Sequence, residues 1–516
     1  MRLNISGNKA SNIFVKRRKT GVATTTMIKE KQAAIRELKE KIGAKKVRDD
    51  EITLVTHGRI NHGFDPSMPF RKPSAVVFPG TREDVVETLK IANKYKISVN
   101  PVGTAQMGIP TAEDDIILDQ RHRDTIIEIN TDSGYAVLEP GVTHDQLTSA
   151  LRGTGYKCEV GTMTGSATVL AGGLTRGSKS FSNRYLSSIL DLEVVLPDGT
   201  IFHTGSSMFN GVGPHLRYGP YCDLAGLYTG SNGTLGVITR FAVRLHPVNE
   251  ASRVHMAGFS NFSDAVDYVK DLVNHNIPEH CIIWNWHMYH TWPLDSEGIT
   301  AVMPEILKTD IRKPPEGTPY SMVTSFLSGY EEQVEFYEKI CAKIALKYHG
   351  RAYPREEVEK RWPQTMAGLK QQYEDYSYRE GTHWSRGRWS GFVVFAEPKD
   401  IKEVEKLAVQ EFAELGPRAR PINNYAHPFD FGRTFLFRYA GFPETDDSET
   451  RMKIGRKSME LCALALKKYH AVPIRGTGES EGEKAFLDVL GRIKKALDPN
   501  NILNRAAGAG LYKERK

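Results

Sequence analysis

The sequence predicts an α+β protein of more than one domain, and three observations predict it. The chain has 516 residues, too many for one compact core, so two or three domains are expected. Residues 74–100 read as strand, helix, strand, a β-α-β unit. After Pro247, strand-like segments alternate with helices twice, in an order that suits one antiparallel sheet covered by helices.

The elements follow in order. Residues 27–42 read as a charged surface helix. Ser74 to Phe78 (SAVVF) reads as a strand. Thr81 then caps a helix, with Asp84 as its capping-box partner and Val85, Val86, Leu89 and Ala92 at helical spacing. A second strand begins near Ile97. Short strands are expected at 116–119, 125–129 and 135–139, and Thr143 caps a helix ending at Gly153. LEVVLPDGTIFHTG predicts a hairpin turning at Asp198-Gly199. Val237 to His246 alternates as a half-buried strand, with Phe241, Val243 and Leu245 on one side. Beyond Pro247, VHMAGF, a helix at 263–274 and CIIWNWHMY form one strand–helix–strand unit. SGFVVFA, a helix at 400–414 and GRTFLFRYAGF form another, followed by a helix at 448–468. A short helix is expected before Asp498-Pro499.

Composition excludes several classes. Hydrophobic content of 40% and charged content of 25% are those of an ordinary globular chain, and no apolar run nears the roughly 20 residues of a membrane span. Six of the seven net positive charges lie in residues 1–25 (Arg2, Lys9, Lys16, Arg17, Arg18, Lys19), which contain no acid. The body is therefore near neutral, and no nucleic-acid surface is expected. Residues 1–26 read as a basic disordered arm without the apolar core of a secretory signal. Five scattered cysteines without a C-x-x-C argue against a disulfide scaffold or an iron–sulfur site, and favour a reducing, cytoplasmic location. No H-E-x-x-H occurs. His287 and His290 fall on an expected strand, where they face opposite sides, so no metal site is expected.

Three stretches could carry chemistry: Pro101 to Gly108 (PVGTAQMG), Gly161 to Gly173 (GTMTGSATVLAGG) and Gly230 to Thr239 (GSNGTLGVIT). Small residues at turns let backbone N–H groups approach phosphate oxygens, and they equally make tight turns in a β-rich fold. None is a G-x-G-x-x-G fingerprint or a P-loop.

Their order and surroundings, with PSAVVFPGTREDV, YAVLEPGVTHDQL, LDLEVVLPDGTIFHTG, GSNGTLGVITRFAVRLHP and the closing ALDPNNILN, resemble the vanillyl-alcohol oxidase/p-cresol methylhydroxylase superfamily. LRYGPYCDLAGLYTGSN, residues 216–232, looks most like the 4-cresol dehydrogenase/vanillyl-alcohol oxidase branch. The resemblance implies a two-subdomain FAD-binding domain over 27–250, an antiparallel-sheet cap domain over 251–470, and a C-terminal segment, 471–516, returning to the FAD domain. It implies FAD, non-covalent by default, with the pyrophosphate against the Gly103 and Gly165 loops and Gly236, Val237 and Ile238 along the cofactor by backbone contact. Pro101, Thr104, Gly108, Pro140, Gly141, Thr162, Ser166, Thr168, Gly172 and Gly173 complete the implied cofactor set.

The implied activity is an FAD-dependent oxidase or dehydrogenase acting on CH-OH or benzylic CH groups of a small phenolic or aromatic substrate. Arg475, in the place of the branch's Tyr-Arg pair, would hold a phenolate, or is simply a solvated arginine. Tyr185 and Arg184 are the accompanying candidates, in a Ser182-Asn183-Arg184-Tyr185 stretch that lacks the branch's acid. His427, His383 and Tyr425 stand near the usual covalent attachment position. Trp284, Trp286, Tyr289, Trp384 and Trp389 would line an aromatic pocket or form core. Two alternatives stand beside this reading. One is D-2-hydroxy-acid oxidation, with Arg386, Arg388 or Arg438 clamping a carboxylate. That branch's H-x-G-D-G-N-x-H segment is missing. The other is a non-catalytic scaffold, motivated by the missing acid and by a first loop that is short and carries Ile109-Pro110 in place of glycines. The electron acceptor (oxygen, a cytochrome or a partner protein) and homo-oligomerisation through the cap stay open.

Overall fold

The computed structural model describes residues 21–58, 72–105, 115–158, 165–174, 188–287, 310, 312–373, 390–415, 421–441, 448–473 and 481–505. Three sheets organise them.

The first sheet holds β1 (Val47–Arg48), β2 (Ala75–Val77), β3 (Val99–Val102) and β4 (Ile116–Asp119), in the order β1-β2-β4-β3. β2, β4 and β3 are parallel, and β1 is an antiparallel edge. Parallel strands covered on both faces read as continuous apolar runs, as AVV and IIL do here. The helix Arg82–Tyr95 joins β2 to β3. Thr81 and Asp84 form the expected capping box, and Asp84 also accepts from Gly80 N at 2.7 Å. Val85, Leu89 and Ala92 pack with Ala34, Leu38 and Ile42 of the helix Gly21–Ile42. Each buried leucine or valine contributes about 1.5–3 kcal/mol. That first helix begins at Gly21, so residues 21–26, expected in the arm, are helical.

The second sheet contains β5 (Ile126–Asn130), β6 (Tyr135–Leu138), β7 (Tyr156–Cys158), β8 (Ile189–Val195), β9 (Ile201–His203) and β10 (Val237–Pro247). Its order is β5-β6-β10-β8-β9, with β7 on the far end of β10. β8 and β9 are the expected hairpin around Asp198-Gly199. β10 pairs with three strands; its Phe241, Val243 and Leu245 enter one core, Ala242 packs in a small cluster with Tyr135, Val137 and Leu190, and Arg240, Arg244 and His246 are only partly buried.

The third sheet has eight strands: β11 (Ala251–Phe259), β12 (His280–Asn285), β13 (Ser321–Gly329), β14 (Arg351–Tyr353), β15 (Ser390–Ala396), β16 (Pro421–Phe429), β17 (Thr434–Gly441) and β18 (Val472–Pro473). Its order is β14-β11-β13-β12-β16-β17-β15-β18, antiparallel throughout. Helices Phe262–Asn274, Glu331–Lys347, Pro398–Ala413 and Ser448–Tyr469 cover one face. On the other face Trp284, Met322, Phe326, Tyr425 and Phe429 pack with Trp362, Met366 and Leu369.

The sheet is larger than the sequence predicts. β13, β14, β16 and β18 lie outside the strands the sequence predicts. β16 (PINNYAHPF) has poor strand propensity, and it holds its conformation because β12 and β17 pair with it on both sides. β12 ends at Asn285, short of the expected strand through Tyr289. The last helix, Glu481–Leu497, is longer than expected. Its Leu490, Ile493 and Leu497 pack on the second-sheet core, and Ile502 and Leu503 enter the first-sheet core.

Candidate functional site

The parallel strands deliver their loops at their carboxyl ends, where open α/β sheets bind ligands. The first loop leaves β3 at Pro101-Val102-Gly103-Thr104. A Cβ on Gly103 would lie 2.9 Å from Thr168 Oγ1, so the first loop touches the second. Gly233, in the third loop, has φ +68°, and a Cβ there would stand 2.6 Å from Pro101 Cγ. All three glycine-bearing loops therefore meet around Pro101–Gly103.

The second loop, from Gly165 to Thr168, crosses the start of the helix His144–Leu151. Asp145 N donates to Gly165 O at 2.9 Å and His144 N to Ala167 O at 3.0 Å, while Val169 N donates to Val142 O at 2.9 Å. This seats the loop beside the Pro140-Gly141 turn. Gly141 N in turn donates to Arg123 O at 2.7 Å.

The segment after β4 ties these pieces to β10. Gln120 Nε2 donates to Ile238 O at 3.1 Å. The buried Arg123 guanidinium donates to Thr239 O at 2.9 Å and to Glu139 Oε1 at 2.8 Å. Thr239 Oγ1 donates to Glu193 Oε1 at 2.7 Å. The backbone at Ile238 and Thr239 is thus held by buried side chains.

A cavity of about 410 Å³ opens at the carboxyl ends of β2 and β4, lined by Lys45, Lys46, Arg48, His57, Phe78 and His122 with neighbouring side chains. Its charge is largely compensated, because Lys46 pairs with Asp84 and Arg48 with Asp50. Asp119, almost wholly buried, lies below the usual carboxylate range. Burial pushes it up, and hydrogen bonds from His57 and Arg121 outweigh that.

Facing the third sheet, Lys157 Nζ donates to Glu279 Oε2 at 2.8 Å, and Ser328 Oγ donates to the same oxygen at 2.7 Å. Burial pushes the Glu279 carboxyl up, but His280 and Lys157 hold it well below its ordinary range. Further along this sheet, Trp284 Nε1 donates to Thr324 Oγ1 at 3.0 Å, the Tyr425 ring stands 6.2 Å from Trp284, and the Arg438 guanidinium stands 5.7 Å from the Tyr425 ring. Burial holds His427 neutral, its pKa lowered to about 3.

The structure brings Gly103 against Thr168 and Pro101 against Gly233; Thr104, Gly165 and Ser166 lie in the same loops, Pro140 and Gly141 precede the turn that seats the second loop, and Gly236, Val237 and Ile238 follow the third loop. Gly172 and Gly173 lie in the helix Val169–Leu174. Gly108 and Thr162 lie outside the described residues, as do Arg475, Tyr185 and Arg184. The same holds for Tyr289, His290, His383, Trp384, Arg386, Arg388 and Trp389. Trp284, Trp286 and Tyr425 are buried in the cluster on the less helix-covered face, beside His427 and Arg438. His287 sits past the end of β12, its ring 3.6 Å from that of Trp286. Among the described residues no group of three His, Cys, Asp or Glu is placed to hold a metal ion, and no helix is long and apolar enough to cross a membrane.

Sequence reasoning missed Gln120, Arg123, Lys494 and Asn504, which brace the loops from other parts of the chain. Of these, only Asn504 fell inside a recognisable motif, ALDPNNILN. The loops suit a long diphosphate-bearing cofactor such as FAD: all three meet where neither Gly103 nor Gly233 leaves room for a side chain against its neighbour, so the backbone approaches closely there.

Comparison with known proteins agrees. A family described as FAD binding domain matches residues 73–205. A probable mitochondrial D-lactate dehydrogenase of Danio rerio is 32% identical over 238 residues, 45% of this chain and 47% of that protein, so the match spans about half of that relative's length. Among solved structures, 4-ethylphenol oxidase from Gulosibacter chungangensis superposes with a TM-score of 0.77 at 20% identity, covering 94% of this chain and 98% of that one. p-Cresol methylhydroxylase superposes with a TM-score of 0.75 at 19% identity, with the same coverage. At such identity the likeness is one of fold.

Proposed function

We propose that this chain is an FAD-binding oxidoreductase of the vanillyl-alcohol oxidase/p-cresol methylhydroxylase superfamily that oxidises a small phenolic or aromatic substrate at a CH-OH or benzylic CH group. The observation that carries this reading is the convergence of three glycine-bearing loops at the carboxyl end of β3, two of them within the residues that match an FAD binding domain.

Residues 101–108, 161–173 and 230–239 would hold the cofactor, largely through backbone. On this reading residues 27–250 form the FAD-binding domain, 251–470 the cap, and 471–516 the returning segment. FAD, when bound, supplies the acceptor for a hydride. The chain's own residues do the rest. Arg475, with Tyr185 and Arg184 from the second loop region, would favour the phenolate over the phenol by charge and hydrogen bonding. The aromatic side chains Trp284, Trp286 and Tyr425 would give the third sheet an apolar, water-excluding character on the substrate side.

The test is an anaerobic titration of the flavin-replete protein with 4-alkylphenols, followed by loss of the oxidised flavin's visible absorbance. Bleaching by an alkylphenol supports the assignment, and a fully loaded protein that no phenol reduces refutes it. A second reading, oxidation of a D-2-hydroxy acid, is favoured by the 32% identity to the D-lactate dehydrogenase relative. Reduction by D-lactate but by no phenol would select it.

A further inference from the structure

The first and third loops are both anchored by the end of the chain. Lys494, on the helix Glu481–Leu497, is completely buried, and so is its ion-pair partner Asp498. The Lys494 ammonium also donates to Thr234 O at 2.7 Å and to Leu503 O at 2.9 Å. Its three N–H groups thus meet three acceptors. Asp498 accepts from Ile502 N at 2.9 Å and from Leu503 N at 2.8 Å, which folds residues 498–504 around the ammonium.

From that fold two arms reach the loops. Asn504 Nδ2 donates to Asn232 O at 2.6 Å, in the third loop. Val99 N donates to Ile502 O at 2.6 Å and Asn504 N donates to Val99 O at 2.8 Å, at the base of the strand that becomes the first loop. The two loops then meet at Pro101 and Gly233.

A buried ion pair is often no more stabilising than a well-packed apolar pair. What it supplies here is geometry: it fixes the carbonyl of one particular turn residue, which no aliphatic side chain can do. We propose that Lys494 is a positioning residue for the cofactor, setting the Asn232–Thr234 turn against Pro101 so that the backbone of both loops is held for FAD. Lys494 touches no ligand itself and acts through Thr234, Asp498 and Asn504. This inference rests on the reading that FAD lies on these loops.

The experiment measures the dissociation constant of FAD for the deflavinated full-length protein by fluorescence titration, together with the visible spectrum of the loaded form and the thermal midpoint of the FAD-free form. Lys494→Met keeps an unbranched side chain as far as Cε and removes the donors. Asn504→Ala removes one arm while leaving the ion pair. Val334→Ala, in the distant core of the third sheet, is a control for simple loss of stability. Lys494→Met is expected to weaken FAD binding by at least about tenfold, and Asn504→Ala by about three- to tenfold, with a shifted or broadened flavin band in both. Val334→Ala should lower the midpoint and leave the dissociation constant within about twofold. Should Lys494→Met not fold, Asn504→Ala carries the comparison. Unchanged affinity and spectrum in folded variants would overturn the proposal, as would equal weakening by Val334→Ala. Failure of the wild-type protein to take up FAD is a separate result: it refutes the reading of the loops, and the inference falls with it.

Discussion

Replacing Gly103 by alanine tests the contact between the first and second loops. The added methyl would lie 2.9 Å from Thr168 Oγ1 and 3.2 Å from Thr168 Cγ2. Thr168 is 1% exposed and β-branched, so it cannot swing aside cheaply. Relief requires the loops to separate by several tenths of an ångström. Overpacking of this kind costs about 1–3 kcal/mol. If that cost falls on the FAD-bound arrangement, affinity drops by about 5- to 150-fold, at roughly tenfold per 1.4 kcal/mol. Thr168→Ala in the same chain removes both crowding atoms and leaves Thr168 Cβ 3.6 Å away, an ordinary contact. The double variant should therefore bind FAD more tightly than Gly103→Ala alone, a coupling opposite in sign to additive damage. Fluorescence titration of FAD and thermal unfolding of the four proteins complete the cycle. Wild-type affinity and midpoint in Gly103→Ala would refute the contact, and so would a double variant no better than the single.

Other positions give further expectations. Gly141→Ala would place a methyl 2.6–2.7 Å from the carbonyl oxygens of Gln120, Arg121 and Arg123; because backbone must move, the loss should reach about 3 kcal/mol in urea unfolding, and a neutral result would contradict the turn geometry. Glu405 is fully buried, and burial lifts its pKa from 4.5 to about 7 against the hydrogen bond from Tyr320. Its stabilising contribution as a neutral acid is complete below about pH 4.5 and lost as pH rises through about 7. Glu405→Gln should accordingly gain up to about 3 kcal/mol over wild type at pH 8.5 and little at pH 4.5, read from thermal melts at both pH values. Glu279 behaves in the opposite sense: its pKa is depressed below 4.5, so its contribution is present above that pH and lost as pH falls through the lowered value. Glu279→Gln should cost about 3–5 kcal/mol at pH 7 by leaving Lys157 without that carboxylate, and a variant as stable as wild type in denaturant would show the pair to be dispensable.

Local signals determined much of the first half of the chain. Thr81 with Asp84 and Thr143 with Gln146 start helices because a side-chain oxygen three residues before an amide closes the same short loop in any context. Asp198-Gly199 makes its hairpin for equally local reasons. The order of the glycine-bearing stretches, and the β10 alternation, were likewise written in the residues themselves.

Tertiary structure decided the rest. β16 is a strand only because β12 and β17 flank it, and β12 stops at Asn285 because the backbone turns helical at Trp286 and His287. The meeting of Gly103 with Thr168, and of Gly233 with Pro101, joins residues distant in sequence. So does the reach of Lys494 to Thr234 across 260 positions. Such contacts leave no periodicity and no spacing to read, since they depend on how sheets and termini pack. The chain announces its loops by composition; only the folded molecule shows which side chains hold them together.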